Sequence, residues 1–177
     1  MRYISIATAL SASLFCVFCP RSLADNTAIV IFSQPGVLRA IKEISVNVEP
    51  LPRQAEEAGL VRQQLEADVE ARFRDAGVTV LEPEVAYERD PQPPELNVSV
   101  SCVKIQDGAR YAVSTLLQEK ENVTPLRDPN LIIVHAPTWQ QSSLSVVAEG
   151  QFRENVTNGL RDRVDSFLKD YLKVNPK

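Results

Sequence analysis

The chain has 177 residues, 44% of them hydrophobic, with 19 basic and 23 acidic side chains. That length suits a single domain, and a net charge of −4 argues against nucleic acid, whose binding relies on Lys and Arg neutralising phosphates. One His and three Cys are poor material for a zinc centre, which needs three or four His, Cys or carboxylate ligands.

The N-terminus reads as a leader. Arg2 supplies a short positive region, Ile4 to Cys19 is apolar and uncharged, and Pro20 breaks the run. Ser22-Leu23-Ala24 places small residues at the positions a signal peptidase reads, so residues 1–24 are predicted to be a signal peptide cleaved between Ala24 and Asp25. An uncleaved anchor is the alternative, but the run is short beside the ~20 apolar residues of a bilayer span. Phe15 before Cys16 and Phe18 before Cys19 do not fit a lipid-accepting cysteine. The C-x-x-C spacing of this pair has no redox or metal role inside a removed leader. Removing Arg2 and Arg21 from the 19 basic residues leaves 17 against 23 acidic ones, a net of −6. That balance speaks against a polybasic grip on anionic lipid, and leaves no stable membrane anchor after cleavage. Cys102 alone remains, so no internal disulfide forms; it reads as a small apolar strand residue.

Residues 25–42 form an ordered extension in which Ala28 to Phe32 is a short strand or a packed arm and Pro35-Gly36 marks a turn. The domain proper is predicted over 43–177. Ile44, Val46 and Val48 alternate with Ser45, Asn47 and Glu49, a half-buried strand that Pro50 and Pro52 end. Val61, Leu65, Val69 and Phe73 recur every fourth residue, predicting a helix over 58–76 that stops at Gly77. Val78 to Leu81 is a second strand, and a helical crossover favours its running parallel to the first. The proline-rich, charged stretch from Pro83 to Glu95 predicts an exposed loop.

Leu96, Val98, Val100 and Cys102 alternate with Asn97, Ser99 and Ser101, and then Val103 and Ile105 change parity, predicting either a bulge or cover on both faces. Asp107-Gly108 predicts a hairpin turn into a strand from Arg110 to about Glu121. Leu131 to His135 is again strand-like, limited by Pro137; Gln140 to Ser143 reads as a polar turn; Leu144, Val146 and Ala148 either continue the strand or lead onward. The last helix runs from Glu149 or Gly150 to about Val174, with Phe152, Val156, Leu160, Val164, Phe167, Leu168, Tyr171 and Leu172 on one stripe. Gly159 inside it costs about 1 kcal/mol against Ala.

Strands buried on both faces read as continuous apolar runs. Here the first and third carry Ser, Asn and Glu on one face. The predicted fold is therefore α+β: a two-layer sandwich of a mixed four- to five-stranded sheet with two helices on one face, in the order β-α-β-β-β-α.

Sites are sparse. His135 is the single imidazole for a Ser–His pair, no G-x-S-x-G elbow is present, and the glycines are scattered rather than gathered into a phosphate loop. Glu66 and Glu70 share a helix face but read as solvated charges rather than a catalytic pair. No cofactor, metal or catalytic residue is predicted. Two surfaces remain: the polar sheet face of Ser45, Asn47, Asn97, Ser99, Ser101 and Ser114, and the region of Arg127 and Trp139. Trp and Arg are favoured interface anchors, though a lone Trp is more often a buried support.

The runs Ile44 to Leu51, Ala58-Gly59-Leu60 and Ala76 to Leu81, with Arg127-Asp128-Pro129, Thr138-Trp139 and the ending Phe167 to Lys177, resemble a family of small uncharacterised exported bacterial proteins. The resemblance covers about residues 40–177. It implies a bacterial envelope location, periplasmic or secreted, and carries over no catalytic residue. The element order is more distantly similar to the N-terminal domain of TolB-type proteins and to lipopolysaccharide-assembly lipoproteins, which work by binding partners; this is a likeness of layout. The expectation is a non-enzymatic binding or interaction module whose partner is an envelope protein or component, with oligomeric state left open. The alternatives are a secreted hydrolase and a small-ligand binder with Trp139 in its pocket.

Overall fold

The structure, a computed structural model, describes residues 28–32, 35–106 and 108–176. The predicted leader, its cleavage point at Ala24 and Asp25, and Asp107 lie outside these residues.

The alternating stretches form strands and the periodic stretches form helices. Six strands make one mixed sheet: β1 (Ala28–Phe32), β2 (Glu43–Val48), β3 (Thr79–Leu81), β4 (Glu95–Lys104), β5 (Arg110–Val123) and β6 (Ile133–Ala148). Their spatial order is β1-β6-β5-β4-β2-β3. β2 runs parallel to both β3 and β4, and the pairs β4–β5, β5–β6 and β6–β1 are antiparallel. The helices are α1 (Arg53–Glu57), α2 (Arg62–Asp75), α3 (Pro83–Tyr87) and α4 (Phe152–Val174). The fold is thus α+β with a mixed sheet, having six strands where four to five were expected. The added strand is β1, supplied by the 25–42 extension.

Side-chain alternation places the core. Ile44, Val46 and Val48 of β2, Leu96, Val98 and Val100 of β4, Tyr111, Val113 and Leu117 of β5, and Trp139 and Val147 of β6 are buried in one cluster. Leu65, Val69 and Phe73 of α2 join it, with seven α4 residues from Phe152 to Tyr171. Both long helices therefore cover the same sheet face, as their single apolar stripes require. Phe167 is the hinge of this packing, its ring 5.3 Å from Phe73 and 5.0 Å edge-on from Trp139. Arg161 with Asp68, at 2.9 Å, and Arg72 with Asp165 tie the exposed sides of α2 and α4.

Several local expectations are revised. The predicted 58–76 helix begins at Arg62, because Gly59 adopts φ +87° and closes the separate turn α1. Val61 consequently precedes the helix and is exposed. Its far end stops as foreseen: Gly77 at φ +88° lets the Val78 and Gly77 amides donate to Phe73 O and Arg74 O, a Schellman closure. Pro83–Tyr87 is helical rather than loop, with Pro83 in the first turn where its missing N–H costs nothing. The β4–β5 ladder runs unbroken to Lys104 opposite Tyr111, and Val103 is exposed, so neither a bulge nor double cover explains the parity change.

The largest revision concerns β6. The predicted short strand, its Pro137 limit and the polar turn Gln140–Ser143 are a single strand of 16 residues. Pro137 is tolerated because the register slips beside it, between Glu119 and Lys120 of β5, leaving Thr138 as the extra residue. Gln140 to Ser143 pairs with β5 on one side and β1 on the other.

Candidate functional site

β5 and β6 outrun their neighbours. β4 ends its pairing at Glu95 opposite Lys120, while β5 continues to Val123, opposite Ile133 of β6. The end of the hairpin therefore projects past the sheet. Its turn holds itself: Asp128 N donates to Pro125 O at 3.1 Å, Leu131 N to Asp128 O at 3.2 Å, and Asn130 N to the Asp128 carboxylate at 3.1 Å. His135 takes φ +53° at a second register slip, and its amide donates to Asn122 Oδ1 at 3.2 Å.

This fixed loop turns apolar side chains outward. Leu126 is fully exposed, Ile132 and Val134 are 63% and 64% exposed, and Leu131 and Ile133 are exposed with them. Scattered exposed apolar residues are ordinary, but a run of them on one projecting element is a surface awaiting cover. Complete burial of such a side chain is worth about 1.5–3 kcal/mol.

Arg127 lies in that turn and is exposed. Trp139, by contrast, has no exposed surface. It sits at the hairpin's root under α4, its indole N–H donating to Asp170 Oδ2 at 3.3 Å. The structure thus separates the two candidate binding residues: Arg127 at the solvent end and Trp139 in the core. Opposite Trp139 on β5, Glu119 is wholly buried with one oxygen accepting from Thr138 Oγ1 and the other unpartnered. Burial, opposed by the Thr138 hydroxyl and reinforced by Glu121, pushes its carboxyl up to about 7. Sequence reading missed this group because a Glu in a strand of mixed character signals nothing until the register is known.

The polar sheet face is partly closed. Ser45 and Asn97 are buried, α3 contacts β2, and the buried Ala86 of α3 lies outside the main core cluster, so α3 covers this second face. Asn97 Nδ2 donates to Glu49 Oε1 at 2.8 Å and Asn47 Nδ2 to Asn97 Oδ1 at 3.3 Å, so these side chains largely satisfy one another. The Asn97 and Ser99 hydrogen bonds hold the Glu49 carboxyl below its ordinary value. Ser99 and Ser114 are half-buried and Ser101 is exposed.

His135, the imidazole of the hydrolase alternative, is exposed on the projecting hairpin. Among the described residues no three His, Cys, Asp or Glu side chains converge as a metal site needs, and no helix is long and apolar enough to cross a membrane.

The fold defines a class: a small two-layer α+β domain with a mixed sheet and both long helices on one face. No family model matches the chain, and no curated relative matches it. Among solved structures it is similar to a PelC dodecamer from Paraburkholderia phytofirmans that carries one leucine-to-methionine substitution, in space group C2. The identity is 15%, the match covers 80% of this chain and 97% of that one, and the TM-score is 0.50. The PelC dodecamer from the same organism in space group P6 is 16% identical over 80% of this chain and 96% of that one, with a TM-score of 0.45. At such identity the likeness concerns the fold.

Proposed function

We propose that this chain is a non-enzymatic interaction module of the bacterial envelope, exported by residues 1–24, that associates with copies of itself through the end of the β5–β6 hairpin. The observation that carries the reading is the ordered, projecting loop with Leu126 and Leu131 to Val134 exposed. The PelC structure matched at a TM-score of 0.50 is a dodecamer, which supports a second copy as the occupant. In this reading Arg127 contacts the neighbouring copy, and Trp139 acts only by holding the hairpin's root.

The test is the mass of the purified protein by light scattering and native mass spectrometry, with Ile132→Asp/Val134→Asp as the interface variant and Val103→Asp as an exposed control elsewhere. A defined assembly is expected for the parent and the control, and a folded monomer for the double variant. A parent that stays monomeric up to its solubility limit, or an assembly indifferent to the double substitution, refutes the reading. Flotation of a monomeric parent with lipid vesicles counts against it too, since the loop would then be a membrane contact.

A further inference from the structure

A second feature lies away from the hairpin's projecting end, on the helix-covered face between β5, β6, the edge strand β1 and the first half of α4. The sheet there is polar where it should be greasy. Thr115, Gln141, Ser143 and Ser145 point toward α4 and are all buried. They border a half-open pocket of about 410 Å³, a size ordinary for small-molecule sites. Arg163, on α4, shares the pocket wall and is only 5% exposed.

Its guanidinium makes no ion pair among the described residues. It donates instead to neutral groups: through Nη1 to Gly159 O, one turn back, and through Nη2 to Ser143 Oγ. Ser143 Oγ is also 3.1 Å from Thr115 Oγ1. Asp162, the preceding residue, attracts the guanidinium through space without an ion-pair contact, and the cost of burying the cation still outweighs that attraction. Gly159 leaves room for the guanidinium, since a Cβ there would stand 3.0 Å from Arg163 Nη1. This accounts for a glycine in the middle of a helix, where Ala would otherwise be preferred.

Two buried atoms of pocket-lining side chains lack partners, they are of opposite kind, and a ligand reaches them by a small turn of each side chain toward the pocket. Arg163 Nε is a donor with nothing to donate to, and Gln141 Oε1 is an acceptor with nothing to accept. Most buried polar atoms in folded proteins are satisfied, so each unsatisfied one marks a missing partner. Glu154 and Asp162 also border the pocket but lie nearer solvent, so its mouth is acidic and its inner wall cationic.

We propose that this pocket binds a small organic acid carrying a hydroxyl or ammonium group beside its carboxylate. The carboxylate accepts from Arg163 Nε, the planar match a guanidinium offers. The neighbouring hydroxyl or ammonium donates to Gln141 Oε1. The acidic mouth disfavours polyanions and selects a ligand whose remaining part is neutral or cationic. The pocket is independent of the hairpin surface, so either assignment can fail without the other.

The experiment uses the whole purified protein labelled with nitrogen-15. Glycolate, glycine, acetate and inorganic phosphate are titrated while the Arg163 Nε–H and Gln141 side-chain resonances are followed. Glycolate or glycine is expected to shift both saturably; which of the two binds more tightly decides between hydroxy and amino acids. Acetate, lacking the donor, should bind several-fold more weakly. Gln141→Glu places a carboxylate beside Arg163 from within; it should abolish probe binding while raising the melting temperature. Gly159→Ala should weaken binding by crowding the guanidinium without removing it. The proposal is overturned if no probe produces a saturable shift, water alone then satisfying both atoms. Phosphate outcompeting the carboxylates, or undiminished binding in Gln141→Glu, overturns it as well.

Discussion

Replacing Glu119 by glutamine tests the burial of this carboxyl directly. In the unfolded chain the group ionises near its ordinary value of 4.5, whereas in the fold it keeps its proton to about 7. Between those values the folded state binds more protons than the unfolded one, so unfolding free energy falls as pH rises. The contribution is complete below 4.5 and gone once pH has passed through 7. At about 1.4 kcal/mol per pH unit, the whole span is worth about 3 kcal/mol. The substituted amide keeps the shape and the acceptor for Thr138 but cannot ionise. Urea denaturation of both proteins across this range, read by far-ultraviolet circular dichroism, should show near-equal stability at the acid end and an advantage of about 3 kcal/mol for Glu119→Gln at about pH 8. Glu121, whose carboxyl is also raised by burial, titrates in both proteins and enters the difference only through its coupling to Glu119, the smallest of the causes of the Glu119 shift. If the two stability profiles run parallel from acid to alkaline pH, Glu119 titrates like a solvated carboxyl and its burial does not govern its ionisation.

Trp139→Ala should cost about 3–5 kcal/mol, as a wholly buried aromatic removed from against Phe167, and Trp139→Phe distinctly less, both measured by urea denaturation. The same burial makes the indole insensitive to acrylamide, so strong fluorescence quenching would contradict it. His135→Val should lower stability by about 1–2 kcal/mol because a β-branched residue resists the left-handed backbone at this position, whereas His135→Gly should be neutral or better; thermal unfolding distinguishes them.

Much of this architecture can be read from residue order because local and tertiary preferences agree. The alternation of Leu96, Val98 and Val100 against Asn97 and Ser99, and the α4 stripe from Phe152 to Tyr171, satisfy the burial that the fold imposes. The misread segments are those where the usual sign of burial is reversed. Gln141, Ser143 and Ser145 carry the marks of a turn but face the helix layer, where Ser143 meets Arg163 and Thr115, and Ser145 meets Asn155. Pro137 looks like a terminator, but a register slip accommodates it. Arg163 looks like one more charge on an amphipathic helix; its burial depends on the exact rotation of α4 over β6, which periodicity does not resolve. Arg127 and Trp139 lie 12 positions apart in sequence, yet one is exposed and the other enclosed, because the strand between them carries the chain from solvent into the core.

The position of β1 sets an order of events. It comes first among the described strands and pairs with β6, which comes last, Ala28 lying opposite Leu144. A chain emerging N-terminus first therefore presents β1 long before its partner exists. Closing so large a loop is the entropically dearest step in assembling the sheet, so β1 should be the last strand to lock and the first to peel away. Hydrogen exchange would show this as faster amide loss along β1 than along the β4–β5 ladder. A strand that detaches singly uncovers the backbone edge of β6 from Gln140 to Leu144, which makes the first described strand the part of the sheet most readily given up.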